Sequence, residues 1–239
     1  MQQIRLENLL LIDIETVPEQ EGFDELSEEW KTLWEEKVQR SLPENTTAAE
    51  FYSQRAGVMA EFAKVICISI GYFRNESGVL NLRLRSFYGH DEKSLLLDFL
   101  QTVSKMESGN YRWSFTGHNI REFDIPFICR RMLVNGLTIP PFLDFQNMKP
   151  WETNIVDTFQ YWRFGDYKQY TSLKLLAATL NVPSPKDDID GSMVADVYYR
   201  EKNLERIVTY CQKDVVTTGN IVLRFKNMEI LAEGQVVVT

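Results

Sequence analysis

The chain has 239 residues, 44% hydrophobic and 25% charged, the make-up of one globular domain long enough for a sizeable core. Its formal charge of −8 excludes a general nucleic-acid coating protein, which needs clustered Lys and Arg, but not an enzyme that draws phosphate in through bound cations. No apolar run nears the roughly 18 residues of a membrane span, "MQQIRLENLL" lacks signal-peptide features, and three scattered cysteines without a CxxC (Cys67, Cys129, Cys211) suit reduced thiols, so a cytoplasmic protein with no membrane partner is expected.

The first element, "LLLIDIETVP" (9–18), reads as a strand buried on both faces. Alternation sets Asp13 and Glu15 on one side of it, about 7 Å apart. An ionised carboxylate in such a place costs several kcal/mol unless it is paired or bound to a metal. Residues 19–63 follow as a charged insert in which Phe23, Leu26, Trp30, Leu33, Trp34 and Val38 recur at helical spacing. "KVICISIGYF" (64–73) and "VLNLRLRSFY" (79–88) read as a hairpin turning through "RNESG". "EKSLLLDFLQTVSKM" is an amphipathic helix with Asp91 as its cap, and "RWSFTGHN" is a short strand ending in Gly117. "EFDIPFICRRMLVNG" is helical, with Pro126 in the first turn and Gly136 as its stop. "NIVDTF" is another short strand, while "TSLKLLAATLN" and "NLERIVTYCQKDVVTTGNIVLRF" are helices. The fold class is therefore α/β: a mixed central sheet flanked by helices, with a helical insert after the first strand, all in a single domain over 1–239.

Two further stretches answer the buried acids of the first strand. "GHNIREFDIPF" sets Asp124 at the start of a helix that follows a strand, and "YCQKDVV" sets Tyr210 and Asp214 on one helix face. With "DIET", these segments resemble motifs I, II and III of the proofreading exonuclease superfamily on the ribonuclease H-like fold. The resemblance is closest to the 3′–5′ exonuclease domain of family B DNA polymerases. Motif I, DxE followed by Thr, falls on Asp13, Glu15 and Thr16; motif II, NxxxFD, on Asn119, Phe123 and Asp124; motif III, YxxxD, on Tyr210 and Asp214. "YKQYTSLKLLAATLNV" resembles the region between motifs II and III. The histidine variant of the superfamily needs His five positions before the last Asp, where Thr209 stands, so this is the tyrosine type. The resemblance spans 9–225 apart from the insert, and with no polymerase domain following it implies a stand-alone member.

The resemblance implies a two-metal-ion phosphodiester hydrolase. Two divalent cations, Mg²⁺ or Mn²⁺, roughly 3.5–4 Å apart activate a water and neutralise the phosphate, and both ions prefer oxygen ligands. It assigns Asp13 as the ligand bridging both ions, Glu15 and Asp214 to the site that activates water, and Asp124 to the second ion. Tyr210 orients the water, Thr16 and Asn119 lie against the substrate terminus, and Phe123 is either a substrate residue that stacks on a base or, the weightier reading, a core residue. The expected substrate is the 3′ end of single-stranded nucleic acid, with DNA the expected form; the choice against RNA rests on the pocket around a 2′-hydroxyl. The competing reading is a catalytically silent nucleic-acid-binding or scaffold domain, against which the presence of all four acids and the tyrosine argues.

Other residues carry blander readings beside functional ones. His118 is a packing or substrate-edge residue, and Asp157 belongs either to the outer shell of the site or to a helix cap. "KDDIDG" (186–191) suggests a calcium loop, but Lys186 at its first ligand position and Val197 at its last reject it. Arg130, Arg131, Lys168, Lys174 and Lys213 are candidate substrate-backbone contacts or plain surface charge. Tyr167 and Tyr170 are candidate base-stacking residues. Cys211 packs inward, with no partner to activate it. The 19–63 insert reads as a lid, as a surface for a protein partner or self-association, or as a surface hairpin.

Overall fold

A computed structural model describes residues 4–108, 113–146, 148–149, 152–183 and 189–239. Six strands form one sheet in the order β5-β4-β1-β2-β3-β6. They are β1 (Leu9–Pro18), β2 (Ala63–Glu76), β3 (Val79–Tyr88), β4 (Ser114–Gly117), β5 (Ile155–Asp157) and β6 (Val236–Val238). β2 runs antiparallel to both β1 and β3, whereas β4 and β5 run parallel to β1, and β6 runs parallel to β3. The helices are α1 (Glu28–Val38), α2 (Ala48–Arg55), α3 (Glu92–Glu107), α4 (Asp124–Val134), α5 (Thr158–Arg163), α6 (Leu173–Thr179), α7 (Val194–Tyr199) and α8 (Leu204–Phe225). This is the mixed sheet flanked by helices of the ribonuclease H-like fold. No helix among the described residues is long and apolar enough to cross a membrane.

Alternation along β1 decides which layer each side chain meets. Leu10, Ile12 and Ile14 enter the core shared with Leu95, Leu96 and Phe99 of α3 and with Phe127 and Ile128 of α4. Leu9 and Leu11 enter the opposite core, where Val215 and Val222 of α8 close the sheet. Asp13 and Glu15 continue that second face, so the sequence that buries β1 on both sides aims both acids at α8. Helix and strand approach closely at Gly219, where a Cβ would lie 3.2 Å from Leu11 Cδ1.

Caps and turns follow local chemistry. Asp91 caps α3 by accepting from Lys93 N at 3.1 Å, as the sequence indicates. Gly136 ends α4 with φ +68°. The β2–β3 turn is tighter than expected. β2 continues through Arg74, Asn75 and Glu76, and only Ser77 (φ 55°) and Gly78 (φ 86°) turn the chain. Two successive positive φ values match the right-handed strand twist, and Asn75 Oδ1 accepts from Gly78 N at 3.0 Å.

The insert also differs from the simple helical stripe. Phe23 and Leu26 precede the helix, Ser27 caps α1, and a second helix, α2, is capped by Thr47 and Glu50 together. Trp34, Val38, Phe51, Tyr52 and Phe62 form a small core of their own, while Trp30 and Leu33 are each 42% exposed. Glu19 N donates to Phe62 O at 2.8 Å and closes the base of the excursion.

Candidate active site

β1, β4 and β5 are parallel, so their carboxyl ends lie on one edge of the sheet, the usual position of a site in such folds. β4 ends at Gly117, where a Cβ would meet Ile12 O at 2.8 Å and Ile120 Cγ2 at 2.1 Å. Only glycine lets β4 pass this close to β1 before His118 and Asn119 turn into α4. Asn119 takes a left-handed φ of 64°, a conformation that asparagine tolerates better than most residues. Asp157 fixes this turn: its Oδ1 accepts from Asn119 N at 3.0 Å and its Oδ2 from Arg121 N at 3.0 Å. The same carboxylate caps α5 through Phe159 N at 2.9 Å. The helix-capping role considered for Asp157 is thus observed, and its carboxylate is also among the charges that act on Asp124.

Four acids converge here from β1, α4 and α8. Asp124, the first residue of α4, accepts from Ile14 N at 3.2 Å, which ties the helix start to β1 between Asp13 and Glu15. Asp214 projects from α8 one turn beyond Tyr210, whose hydroxyl donates to it. Glu15 and Asp124 are buried, and Asp13 and Asp214 reach the cleft. Burial first, then Asp214, Asp124 and Glu15, push Asp13 well above the usual carboxylate range. Glu15 is raised by burial and then by Asp214, Cys67 and Asp124. Asp124 is raised to about 7, by burial above all, against the lowering effect of its backbone donors. The charges that act most strongly on these three acids belong to other acids and a thiol. Tyr210 is pushed far up by burial and then by Asp214, Glu15 and Asp13, so it stays a neutral phenol.

Such an arrangement suits divalent cations. Asp13, Glu15 and Cys211 present ligand atoms within 4.8 Å of one another. Burial first, then Cys67 and after it Asp13 and Glu15, raise Cys211 strongly, so it remains a thiol, and its Sγ donates to Asp13 Oδ2 at 3.4 Å. The donors left to an ion are carboxylate oxygens, the set that Mg²⁺ or Mn²⁺ prefers.

A cleft of about 1230 Å³ opens over these residues. Asp13, Asn119, Phe123, Asp124, Tyr210 and Asp214 all line it. Phe123 also packs on Phe127, with ring centroids 5.4 Å apart. Among the described residues, Asn119 Oδ1 is buried and has no hydrogen-bond partner. Thr16 is put to another use: its hydroxyl donates to Gly57 O at 2.5 Å, fastening the insert to β1.

The secondary candidates separate. His118 lines the cleft but is held by Thr158 Oγ1 at 3.0 Å and Thr171 O at 2.8 Å, and burial lowers its pKa. Arg131 is no substrate contact. It is 4% exposed and bound to Glu92, Glu19 and Ala60 O, because a guanidinium placed under α4 needs internal partners. Lys174 and Tyr170 line the cleft, whereas Arg130, Lys168 and Tyr167 are exposed and do not. Lys186 and its two neighbours in "KDDIDG" lie outside the described residues, and Asp190 accepts from Ser192 N at 2.9 Å. Sequence reasoning missed Arg55 and Val58, which the insert delivers to the cleft; neither belongs to a motif, and only tertiary docking reveals them.

The family comparison agrees with this geometry. Residues 58–235 match a family described as predicted 3′-5′ exonuclease related to the exonuclease domain of PolB. That stretch holds Asn119, Phe123, Asp124, Tyr210 and Asp214, while β1 with Asp13 and Glu15 lies before it and is joined to it by the fold. No curated protein matches the chain. With most of its length matched, the chain belongs to the family of predicted 3′-5′ exonucleases related to the exonuclease domain of PolB.

Proposed function

We propose that this protein is a metal-dependent 3′–5′ exonuclease that hydrolyses the terminal phosphodiester of single-stranded nucleic acid, with DNA the expected form. The observation that carries the reading is the convergence of four acids: Asp13, Asp124 and Asp214 line one cleft, and the buried Glu15 lies among them. Like charges crowded in low dielectric are unfavourable unless a cation joins them. These four carboxylates would hold Mg²⁺ or Mn²⁺, which when bound neutralises phosphate charge and acidifies a water.

The remaining groups position the reactants. Tyr210, kept as a phenol and hydrogen-bonded to Asp214, orients a water beside that carboxylate and does not act as its base. The unpartnered Asn119 Oδ1 is an acceptor suited to a terminal 3′-hydroxyl, and the Phe123 ring offers a surface to the last base. Thr16 supports the cleft wall through Gly57. A paired end must first fray, at on the order of 1–2 kcal/mol per base-pair step, so single strands are preferred.

A 5′-labelled oligonucleotide incubated with Mg²⁺ or Mn²⁺, alone and annealed to its complement, with a matched RNA beside it, tests the reading. The expected result is a descending ladder from the 3′ end, faster on the single strand and on DNA. Immediate release of the labelled 5′ nucleotide, or cleavage of a circular strand, would contradict it.

A further inference from the structure

Residues 19–57 precede the stretch matched by the family, yet they build part of the cleft. The insert is a small folded unit and not a loose loop. Its aromatic core is closed by Trp34, whose ring packs on Phe62 at 5.0 Å and whose Nε1 donates to Ala48 O at 2.8 Å. Its distal turn, Ala56–Val58, is docked on β1 by the Thr16–Gly57 hydrogen bond three residues past Asp13. A Cβ on Gly57 would come 3.3 Å from Pro18 Cδ, so the contact is close. The chain on either side of Gly57 therefore has a fixed place, and it puts Arg55 and Val58 into the lining of the cleft that holds Asp13, Asp124 and Asp214.

Both side chains are exposed there, Val58 at 45%, and among the described residues Arg55 has no ion-pair partner. A cation at the last position of α2 suits the negative helix end. That accounts for a basic residue but not for its opening into a cleft floored with carboxylates. A strand whose terminal phosphate reaches the acids still has to lay its next, doubly esterified phosphates along the walls, and an acidic chain offers few cations to meet them. Guanidinium matches phosphate oxygens with paired donors.

We propose that Arg55 binds an internucleotide phosphate upstream of the scissile bond, with Val58 against the adjoining sugar or base, so that the insert guides the substrate strand. This rests on the exonuclease reading above. A single-stranded decanucleotide meets Arg55, whereas the p-nitrophenyl ester of thymidine 5′-monophosphate has one phosphodiester and no upstream phosphate to offer it.

The experiment compares the full chain with Arg55→Ala and Arg55→Lys on both substrates with Mn²⁺, over a salt series. The expected result is that Arg55→Ala lowers the decanucleotide-to-ester ratio of kcat/KM about tenfold, mainly through KM. It also shallows the log–log salt dependence for the decanucleotide by about 0.7, the share of one phosphate contact on a single strand. Arg55→Lys should restore most of the slope and part of the ratio. An unchanged ratio and slope, or equal losses on both substrates, would overturn the proposal while leaving the exonuclease reading intact. A wild-type chain inert on both substrates would overturn that reading and this proposal with it.

Discussion

Glu92 and Glu15 are buried to the same degree, 7% and 8% exposed, yet their surroundings are opposite. Glu92 accepts from Arg131 Nη2 at 2.7 Å, from Val65 N at 2.7 Å and from Asn135 Nδ2 at 2.7 Å. Its charge is answered inside the chain, and the network ties α3 and α4 to β2 and to the base of the insert. Glu15 faces Asp214, Asp124 and Cys67 instead, and its charge is answered by nothing of opposite sign among its strongest neighbours. The first arrangement is complete when the chain folds. In the function proposed here the second is completed by a cation, and that would separate a structural buried acid from a functional one.

Removing one acid from each region gives the sharpest contrast. Asp13→Asn or Asp214→Asn should lower the nuclease rate a thousandfold or more, about 4 kcal/mol of transition-state stabilisation. The same variants should melt at an equal or higher temperature without metal, since one of the mutually repelling carboxylates has gone. Rates near wild type would remove the acids from the site.

Arg131→Met should do the reverse. It leaves the buried Glu92 carboxylate without its cation, held only by Val65 N and Asn135 Nδ2, and should lose roughly 3–5 kcal/mol in urea unfolding, with Arg131→Met/Glu92→Leu recovering part of it. A loss below about 1 kcal/mol would show that Glu92 does not depend on this partner.

The two regions also differ in their response to pH. Asp124 is raised from its ordinary 3.8 to about 7, and Asp13 and Glu15 are raised in the same direction. Between those pH values the folded chain holds protons that the unfolded chain has released. The stability present below about pH 4 is therefore lost as pH rises through 7. In chelator, unfolding free energy should fall by on the order of 2–4 kcal/mol over that window. Asp124→Asn should flatten the fall, and Mn²⁺ at pH 8 should reverse it. A flat profile in chelator would mean that the cluster is not crowded in solution.

The smallest effect is expected at Tyr210→Phe, which keeps the ring and removes the hydrogen bond to Asp214. A five- to tenfold loss of rate, about 1 kcal/mol, is the expected scale for one positioning hydrogen bond. A loss as large as that of Asp13→Asn would give Tyr210 a larger part than positioning.

Much of the site was legible because its members sit on single elements with regular spacing. Asp13 and Glu15 share a face by strand alternation, Tyr210 and Asp214 by helical spacing, and Asp124 opens a helix. What escaped depends on contacts between distant segments. Arg131 reads as a surface cation until Glu92, 39 positions away, is seen against it. The Thr16–Gly57 hydrogen bond spans 41 positions and has no signature in the sequence. The short helices α5 and α7, six residues each, are too brief for periodicity to declare them. β6 needs β3 beside it, although its Val-rich composition suits a strand.

The central claim is that the unanswered acids are a metal site. Its most direct test is Mn²⁺ binding followed by electron paramagnetic resonance on wild type, Asp13→Asn and Arg131→Met at pH 8. Saturable binding in wild type, retained in the folded fraction of Arg131→Met and lost in Asp13→Asn, is the predicted result. Wild-type binding no stronger than that of Asp13→Asn would contradict the account.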